Sequence, residues 1–352
     1  MDDEQGIDRS AKGQDSKLHA SSFLVSGAKP KMRILITGIT GFVGGHLVES
    51  LMPRGHTIFG LSRRGTWPTQ LSHLADQVKL YSGDLADSNS VESVLAQSRP
   101  DWLMHLAGYA NPGRSYLEQD QCWHDNFAST QVLYEAIVRT GLKPRILYVS
   151  TGLVYGEPHE VDGACDEQTV LKPATPYAAS KAAADLLSYQ YTRRPGLDIV
   201  RVRLFNQIGP RQSADYASAN FARQIAAAEA GTQPPVIETG DLSARRDITD
   251  VRDMVAAFPL LLEHGRTGEV YNAGRGETYR IKDLLDKLIA LARVKVEVRQ
   301  RIEPERKADT AVTRADSRKL RETTGWIPRI PLEQTLTDIL DNWRKTNGDR
   351  PA

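Results

Sequence analysis

The stretch Arg33-Ile34-Leu35-Ile36-Thr37-Gly38-Ile39-Thr40-Gly41-Phe42-Val43-Gly44 decides the fold. Arg33–Thr37 is a short apolar, β-branched run that stops at a glycine, which is the pattern of a buried strand. Beyond the turn, Gly44–Met52 has helical spacing and is closed by Pro53-Arg54-Gly55. Glycines between a strand and a helix let the backbone turn tightly and approach a pyrophosphate, which then rests on the helix N-terminus. The spacing is G-x-x-G-x-x-G. Its position after the first strand of a β-α-β unit, more than the glycines themselves, marks a dinucleotide site. Gly38, Thr40, Gly41, Phe42, Val43 and Gly44 are the expected contacts.

Working outward, Thr57–Leu61, Val78–Tyr81, Asp101–Leu106, Arg145–Val149 and Asp198–Leu204 read as further strands. Ser88–Gln97, with Ser88 as N-cap, Asn126–Arg139 and Tyr177–Tyr191 read as the helices between them. This alternation predicts an α/β fold, a doubly wound parallel sheet with crossover helices. After Phe205 the pattern changes to helices (Asn220–Ala230, Val251–His264, Ile281–Ala292, Pro331–Lys345) separated by short strands (Pro235–Glu238, Val270–Asn272, Lys295–Val298). A smaller C-terminal α/β lobe is expected over 206–345. It follows a dinucleotide-binding domain at 31–205, to which late segments return. Residues 1–30 are polar and read as a flexible tail. Ligands of open parallel sheets bind beyond the carboxyl ends of the strands, and the motifs below all fall there.

Composition narrows the partners. The 352 residues carry 45 Lys and Arg against 44 Asp and Glu, for a net charge of +1. No global field attracts nucleic acid or an anionic membrane, so anion binding falls to local arginines. No segment is long and apolar enough to span a bilayer, and the N-terminus lacks the apolar core of a signal peptide. Cys122 and Cys165 make neither a disulfide framework nor a metal-ligand pattern. They read as free thiols of a cytoplasmic protein, with no metal site expected.

The end of the second strand selects between the two nicotinamide dinucleotides. An acidic residue there would bond the ribose 2′-hydroxyl. The chain has Ser62-Arg63-Arg64 instead, and a guanidinium such as that of Arg63 suits a 2′-phosphate. NADP(H) is therefore favoured, with NAD(H) as the alternative if these arginines are merely solvated. Asp84 and Leu85 follow the third strand and are placed to meet the adenine. Leu106, Ala107 and Gly108 follow the fourth and offer small residues where backbone must lie close to the cofactor.

Tyr177 and Lys181 are four residues apart and share one helical face. A nearby ammonium is expected to lower the tyrosine pKa, so that Tyr177 exchanges a proton with an alcohol or ketone oxygen while hydride moves. Lys181 is also expected to hold the nicotinamide ribose. Ser150-Thr151-Gly152-Leu153-Val154-Tyr155-Gly156 follows the fifth strand. Thr151 is the expected partner of the reacting oxygen, and Ser150 the residue that satisfies the turn.

Together, TGITGFVG (37–44), HLAG (105–108), STGLVYG (150–156), YAASK (177–181) and Gly325-Trp326-Ile327-Pro328 resemble the extended short-chain dehydrogenases/reductases that act on nucleotide sugars. The resemblance covers 32–345. RLFNQIGPRQ (203–212) and RDITDVRD (246–253) are most similar to GDP-mannose 4,6-dehydratases and the related GDP-6-deoxy-4-keto-mannose reductases. The resemblance implies a Rossmann fold and a triad of Thr151, Tyr177 and Lys181. It also implies nucleotide-sugar contacts at Asn206, Arg246, Arg306 and Asp309, and a homodimer formed through Asn126–Arg139 and Tyr177–Tyr191. Dehydration needs a carboxylate beside the threonine, and this chain has Gly152 and Leu153 there. The expectation is NADPH-dependent reduction of the C4 ketone of a nucleotide-linked 4-keto-6-deoxyhexose, GDP-linked by preference. A 4-epimerase holding NAD, or less readily a 4,6-dehydratase, are the alternatives.

Overall fold

The run Ile34-Leu35-Ile36 is buried on both faces, as a central strand of a covered sheet requires. The structure, a computed structural model, describes residues 31–156, 164–301 and 314–348. In chain order its strands are β1 (Arg33–Thr37), β2 (Thr57–Ser62), β3 (Lys79–Ser82), β4 (Trp102–His105), β5 (Arg145–Thr151), β6 (Ala164–Cys165) and β7 (Ile199–Leu204). There follow β8 (Asn206–Ile208), β9 (Val236–Thr239), β10 (Arg245–Asp250), β11 (Val270–Ala273), β12 (Thr278–Arg280), β13 (Glu297–Gln300) and β14 (Arg314–Ala315). The helices are α1 (Phe42–Leu51), α2 (Ser88–Ser98), α3 (Gln119–Trp123), α4 (Ser129–Thr140), α5 (Pro176–Arg193), α6 (Ala217–Glu229), α7 (Val251–His264), α8 (Ile281–Ala290), α9 (Arg318–Thr324) and α10 (Leu332–Gly348).

Seven parallel strands form the main sheet in the order β11-β7-β5-β4-β1-β2-β3. The order reverses between β1 and β4, the crevice where doubly wound sheets bind ligands. Side chains alternate across each strand. Ile34, Ile36, Leu147, Val149, Val200 and Val202 pack on one face against Leu47, Val48 and Leu51 of α1 and Met254, Phe258 and Leu261 of α7. Leu35, Leu103, Ile146, Tyr148 and Ile199 pack on the other against Val94 and Leu95 of α2 and Leu133 and Ile137 of α4. A separate core joins Phe221 and Ile225 of α6, Leu284 and Leu288 of α8 and Leu336 and Leu340 of α10. The architecture is thus the Rossmann-type parallel sheet that the sequence predicts.

Several boundaries differ from expectation for physical reasons. Helix α1 starts at Phe42 rather than Gly44, because Gly41 already takes the capping position. Asp87, not Ser88, caps α2: its carboxylate accepts from Asn89 N at 3.0 Å, while the Ser88 hydroxyl turns to Glu92. The expected Asn126–Arg139 helix begins earlier as α3 and passes through a π-helical turn, His124–Ala128, before α4. Such turns are rare and cluster at functional sites. Strand β3 lies one residue later than expected.

Candidate active site

A cavity of about 990 Å³ opens beyond the carboxyl ends of β1, β4, β5 and β7. It is lined by Gly38, Thr40, Gly41, Phe42, Val43 and Gly44. Gly38 has φ +70°, and a Cβ there would meet Ala107 N at 2.7 Å. A Cβ at Gly44 would stand 2.4 Å from Gly38 O. The turn is therefore closed to side chains, and Gly41 supplies no side-chain acceptor for the first-turn amides of α1. This is the cradle that a pyrophosphate requires.

A buried chain of hydrogen bonds fixes the turn against the one after β4. Thr130 Oγ1 donates to Asn126 O at 2.6 Å, so it accepts from His105 Nε2 at 2.9 Å. His105 Nδ1 is then the acceptor for Thr37 Oγ1 at 2.7 Å, which leaves that oxygen to accept from Ala107 N at 3.2 Å. Burial, and secondarily the Lys181 charge, lower His105 to about 3, so the imidazole is neutral. Leu106, Ala107 and Gly108 are held at the cavity wall by this chain.

Arg63, Asp84 and Leu85 line the far end of the same cavity. The Arg63 side chain is 71% exposed, and its Nη1 stands 4.0 Å from Asp125 Oδ2. Asp84 Oδ1 accepts from Ala86 N at 3.0 Å, which fixes the turn.

Thr151 ends β5, and Tyr177 stands in the first turn of α5. Thr175 caps that helix, accepting from Ala178 N at 3.0 Å, and Pro176 occupies the first helical position. Burial raises Tyr177 well above the ordinary phenol value, opposed by a hydrogen bond with Thr151. The expected lowering by a nearby ammonium is not what governs the group: desolvation wins, and Tyr177 is a protonated donor at neutral pH. Lys181 Nζ donates to Val149 O at 2.6 Å and lies 4.8 Å from the centre of the Tyr148 ring. Burial lowers Lys181 to about 8, opposed by Asp185. Thr151 Oγ1 accepts from Leu153 N at 3.3 Å and so serves the turn. Ser150 Oγ is buried and has no hydrogen-bond partner among the described residues.

Asn206, at the start of β8, and Arg246, in β10, line the opposite side of the cavity. Arg246 Nη1 donates to Arg245 O at 2.8 Å. Arg306 and Asp309 lie outside the described residues. Beside Thr151, a Cβ at Gly152 would meet the Phe205 ring at 3.0 Å, and Leu153 lines the cavity.

Several lining residues were not singled out from sequence, among them Tyr109, Asn111, Asp125, Gln212 and Tyr216. Tyr109 and Asn111 directly follow the turn after β4, so the carboxyl-end rule extended by a few residues finds them. Nothing in the sequence marks Tyr216, whose hydroxyl donates to Ala110 O at 2.5 Å across the mouth. Asp185 was also missed. It is fully buried, pairs with Arg201 at 2.6 Å and Arg203 at 2.8 Å, and follows Lys181 by one helical turn. Among the described residues no helix is long and apolar enough to cross a membrane.

A doubly wound sheet with a glycine cradle at its switch point, facing a Tyr/Lys pair across one cavity, defines a nicotinamide-dependent oxidoreductase. Comparison with known proteins agrees. The family model described as GDP-mannose 4,6 dehydratase matches residues 35–339, and the chain belongs to that family. It is 33% identical to GDP-6-deoxy-D-mannose reductase of Pseudomonas aeruginosa over 311 residues, 88% of this chain and 97% of that protein. The solved structure of RMD from Pseudomonas aeruginosa complexed with NADPH superposes with a TM-score of 0.79 at 32% identity, covering 90% of this chain and 100% of the other. The UDP-glucose 4-epimerase of Thermus thermophilus in complex with NAD gives 0.78 at 28% identity, covering 88% and 98%.

Proposed function

We propose that the chain reduces the C4 ketone of a nucleotide-linked 4-keto-6-deoxyhexose with NADPH, GDP-4-keto-6-deoxy-D-mannose giving GDP-D-rhamnose. One observation carries the reading. The site holds a tyrosine poised to give a proton, and it has no carboxylate beside Thr151, where a side chain at position 152 would crowd the Phe205 ring. Dehydration must take a proton from carbon and protonate a leaving hydroxyl, work for a carboxylate that Leu153 and Gly152 cannot do. Ketone reduction needs one hydride and one proton. The 33% identity to a GDP-6-deoxy-D-mannose reductase supports the same choice.

In this reading Gly38–Gly44 hold the pyrophosphate, Asp84 and Leu85 the adenine end, and Leu106–Gly108 the backbone of the dinucleotide. Arg63 meets the 2′-phosphate, which makes NADP(H) the preferred cofactor over NAD(H). Bound there, the dinucleotide would supply a hydride to the carbonyl carbon. Thr151 donates a hydrogen bond to the ketone oxygen, and Tyr177 gives that oxygen its proton, completing the alcohol. The Lys181 ammonium steadies the phenolate left behind, and Val149 O and Asp185 hold it in place. Asn206 and Arg246, with Arg306 and Asp309, are assigned to the nucleotide-sugar side.

The test is to mix the purified chain with NADPH and GDP-4-keto-6-deoxymannose, following nicotinamide absorbance and identifying the sugar by NMR. Oxidation of NADPH with formation of a 6-deoxyhexose is expected. No oxidation, together with turnover of a UDP-hexose on tightly held NAD, would replace the reading with a 4-epimerase, which the likeness to the NAD-bound epimerase favours. We also propose a homodimer through α4 and α5, because Val138, Leu186 and Tyr189 are 43%, 56% and 43% exposed on them. Light scattering giving a monomer mass would refute it. A cytoplasmic location fits the two free, buried thiols, Cys122 and Cys165.

A further inference from the structure

Behind the cavity wall, α1 is joined to the loop after β8 by polar contacts that the chemistry above does not use. His46 of α1 is 5% exposed. Its Nε2 stands 2.9 Å from Pro210 O, and a carbonyl only accepts, so Nε2 carries the proton. Nδ1 is then an acceptor and takes a hydrogen bond from Arg211 Nη2 at 3.0 Å. The same guanidinium donates to both oxygens of Glu49, at 3.0 and 2.6 Å. Glu49 in turn meets His73 Nε2 at 3.0 Å. Arg211 does this from φ +70°, a backbone conformation that a side chain with a Cβ rarely adopts. The strain is held by the fork of bonds that the guanidinium makes.

Both ends of this bridge reach the cavity. Phe42, in the glycine turn, meets the His46 ring edge-on at 5.5 Å. It also lies 3.6 Å from where a Cβ on Gly209 would stand. On the other side, Ile208, Gln212, Ser213 and Asp215 line the cavity together with Asn206.

We infer that Arg211 is a positioning residue that couples the cofactor helix to the 209–217 segment, so that filling the glycine cradle orders the opposite wall. The inference rests on the reading of that cradle as a dinucleotide site, and it does not depend on which sugar is reduced. It requires neutral His46. The charged groups facing that ring are Arg211, Glu49 and Asp250, with His73 one step away through Glu49. Burial first, then Arg211, hold His46 below the ordinary histidine value. A second proton, arriving only in acid, would occupy Nδ1, remove the acceptor and repel the guanidinium.

Hydrogen–deuterium exchange on the full chain, with and without NADPH, tests this. In the wild type NADPH is expected to slow exchange in 42–51 and in 209–217 together. Arg211→Gly adopts the same positive φ without strain and removes the fork together with the rest of the side chain, and Glu49→Gln, which leaves the backbone untouched, controls for the freer glycine. In Arg211→Gly protection of 42–51 should persist while protection of 209–217 falls by about threefold or more. Glu49→Gln, a milder cut of the same fork, should give a smaller loss in the same segment. After correction for intrinsic exchange, acid should remove the coupled protection in the wild type and change nothing further in Arg211→Gly. Equal protection of 209–217 in wild type and Arg211→Gly, or wild-type protection confined to 42–51, would overturn the inference. No protection in either segment would overturn the cofactor reading along with it. A chain that shows the coupled pattern yet leaves the keto sugar untouched would refute only the reductase proposal.

Discussion

At Gly38, Gly41, Gly44 and Gly108 the cavity wall has no side chains to present, whereas around Asn206, Gln212, Tyr216 and Arg246 it carries polar ones. The first wall is made by excluding atoms. A Cβ on Gly38 or Gly44 would overlap backbone at 2.7 and 2.4 Å, so the surface there is set by what the residues lack. The second wall is made by presenting groups from β8, the loop that leads into α6, and β10. A wall of backbone tolerates no substitution and recognises a feature shared by all its ligands, the pyrophosphate. A wall of side chains is retuned one residue at a time and suits the part of the ligand that varies.

Tyr177→Phe cuts the side-chain chemistry most deeply. It should lower kcat by about 100- to 10,000-fold, the usual range for a lost general acid, while NADPH affinity stays within about twofold. A variant that loses cofactor binding as well would show that the two walls are not separable. Gly44→Ala attacks the backbone wall. It should lose stability by about 1–3 kcal/mol from overpacking, seen as a lower Tm, and weaken NADPH binding with it. Cofactor affinity unchanged in a destabilised variant would mean that the cradle does not set the binding surface.

Arg63→Ala probes the side chain assigned to the 2′-phosphate. It should weaken NADPH by about tenfold, one charge-assisted contact, and leave NADH nearly unchanged in titrations. Equal loss for both would remove Arg63 from 2′-phosphate recognition. The smallest effect concerns Lys181. Its folded value is about 8 against an ordinary 10.5, so between those values the unfolded chain binds the extra proton. Stability should therefore rise with pH across that window. Lys181→Met should flatten that slope in denaturant titrations, and a slope that survives the substitution would mean that another group titrates there.

The same contrast explains what was legible in the sequence. Glycine at Gly38, Gly41 and Gly44, after an apolar run and before a helix, has few uses other than close backbone approach, so the cradle announces itself. The Tyr177/Lys181 spacing was readable because both partners lie on one helix. Asp185 stands one turn further on, but its role depends on Arg201 and Arg203 arriving on β7, and no local pattern carries that. The bond from Leu153 N to Thr151 Oγ1 was equally hidden, since Ser150 and Thr151 are both hydroxyls at the end of one strand and only the turn geometry separates them. The π-helical turn at His124–Ala128 was hidden too, because its residues keep an unbroken helical appearance. The return of β11 to the main sheet could be foreseen only as interleaving, since strand neighbours are chosen by packing rather than by local composition.

The Phe205 ring against Gly152 also bears on how this chain can change. Mutation explores one position at a time, and two sites next to Thr151 could in principle gain an acid. At position 152 an arriving aspartate meets a ring 3.0 Å from its first carbon, so that route requires the Phe205 ring to give way. Leu153 lines the cavity and is half-buried, so an acid replacing it would border the cavity rather than the ring. An experimenter seeking to evolve elimination from this scaffold should begin at Leu153, and a lineage drifting toward it would be channelled the same way.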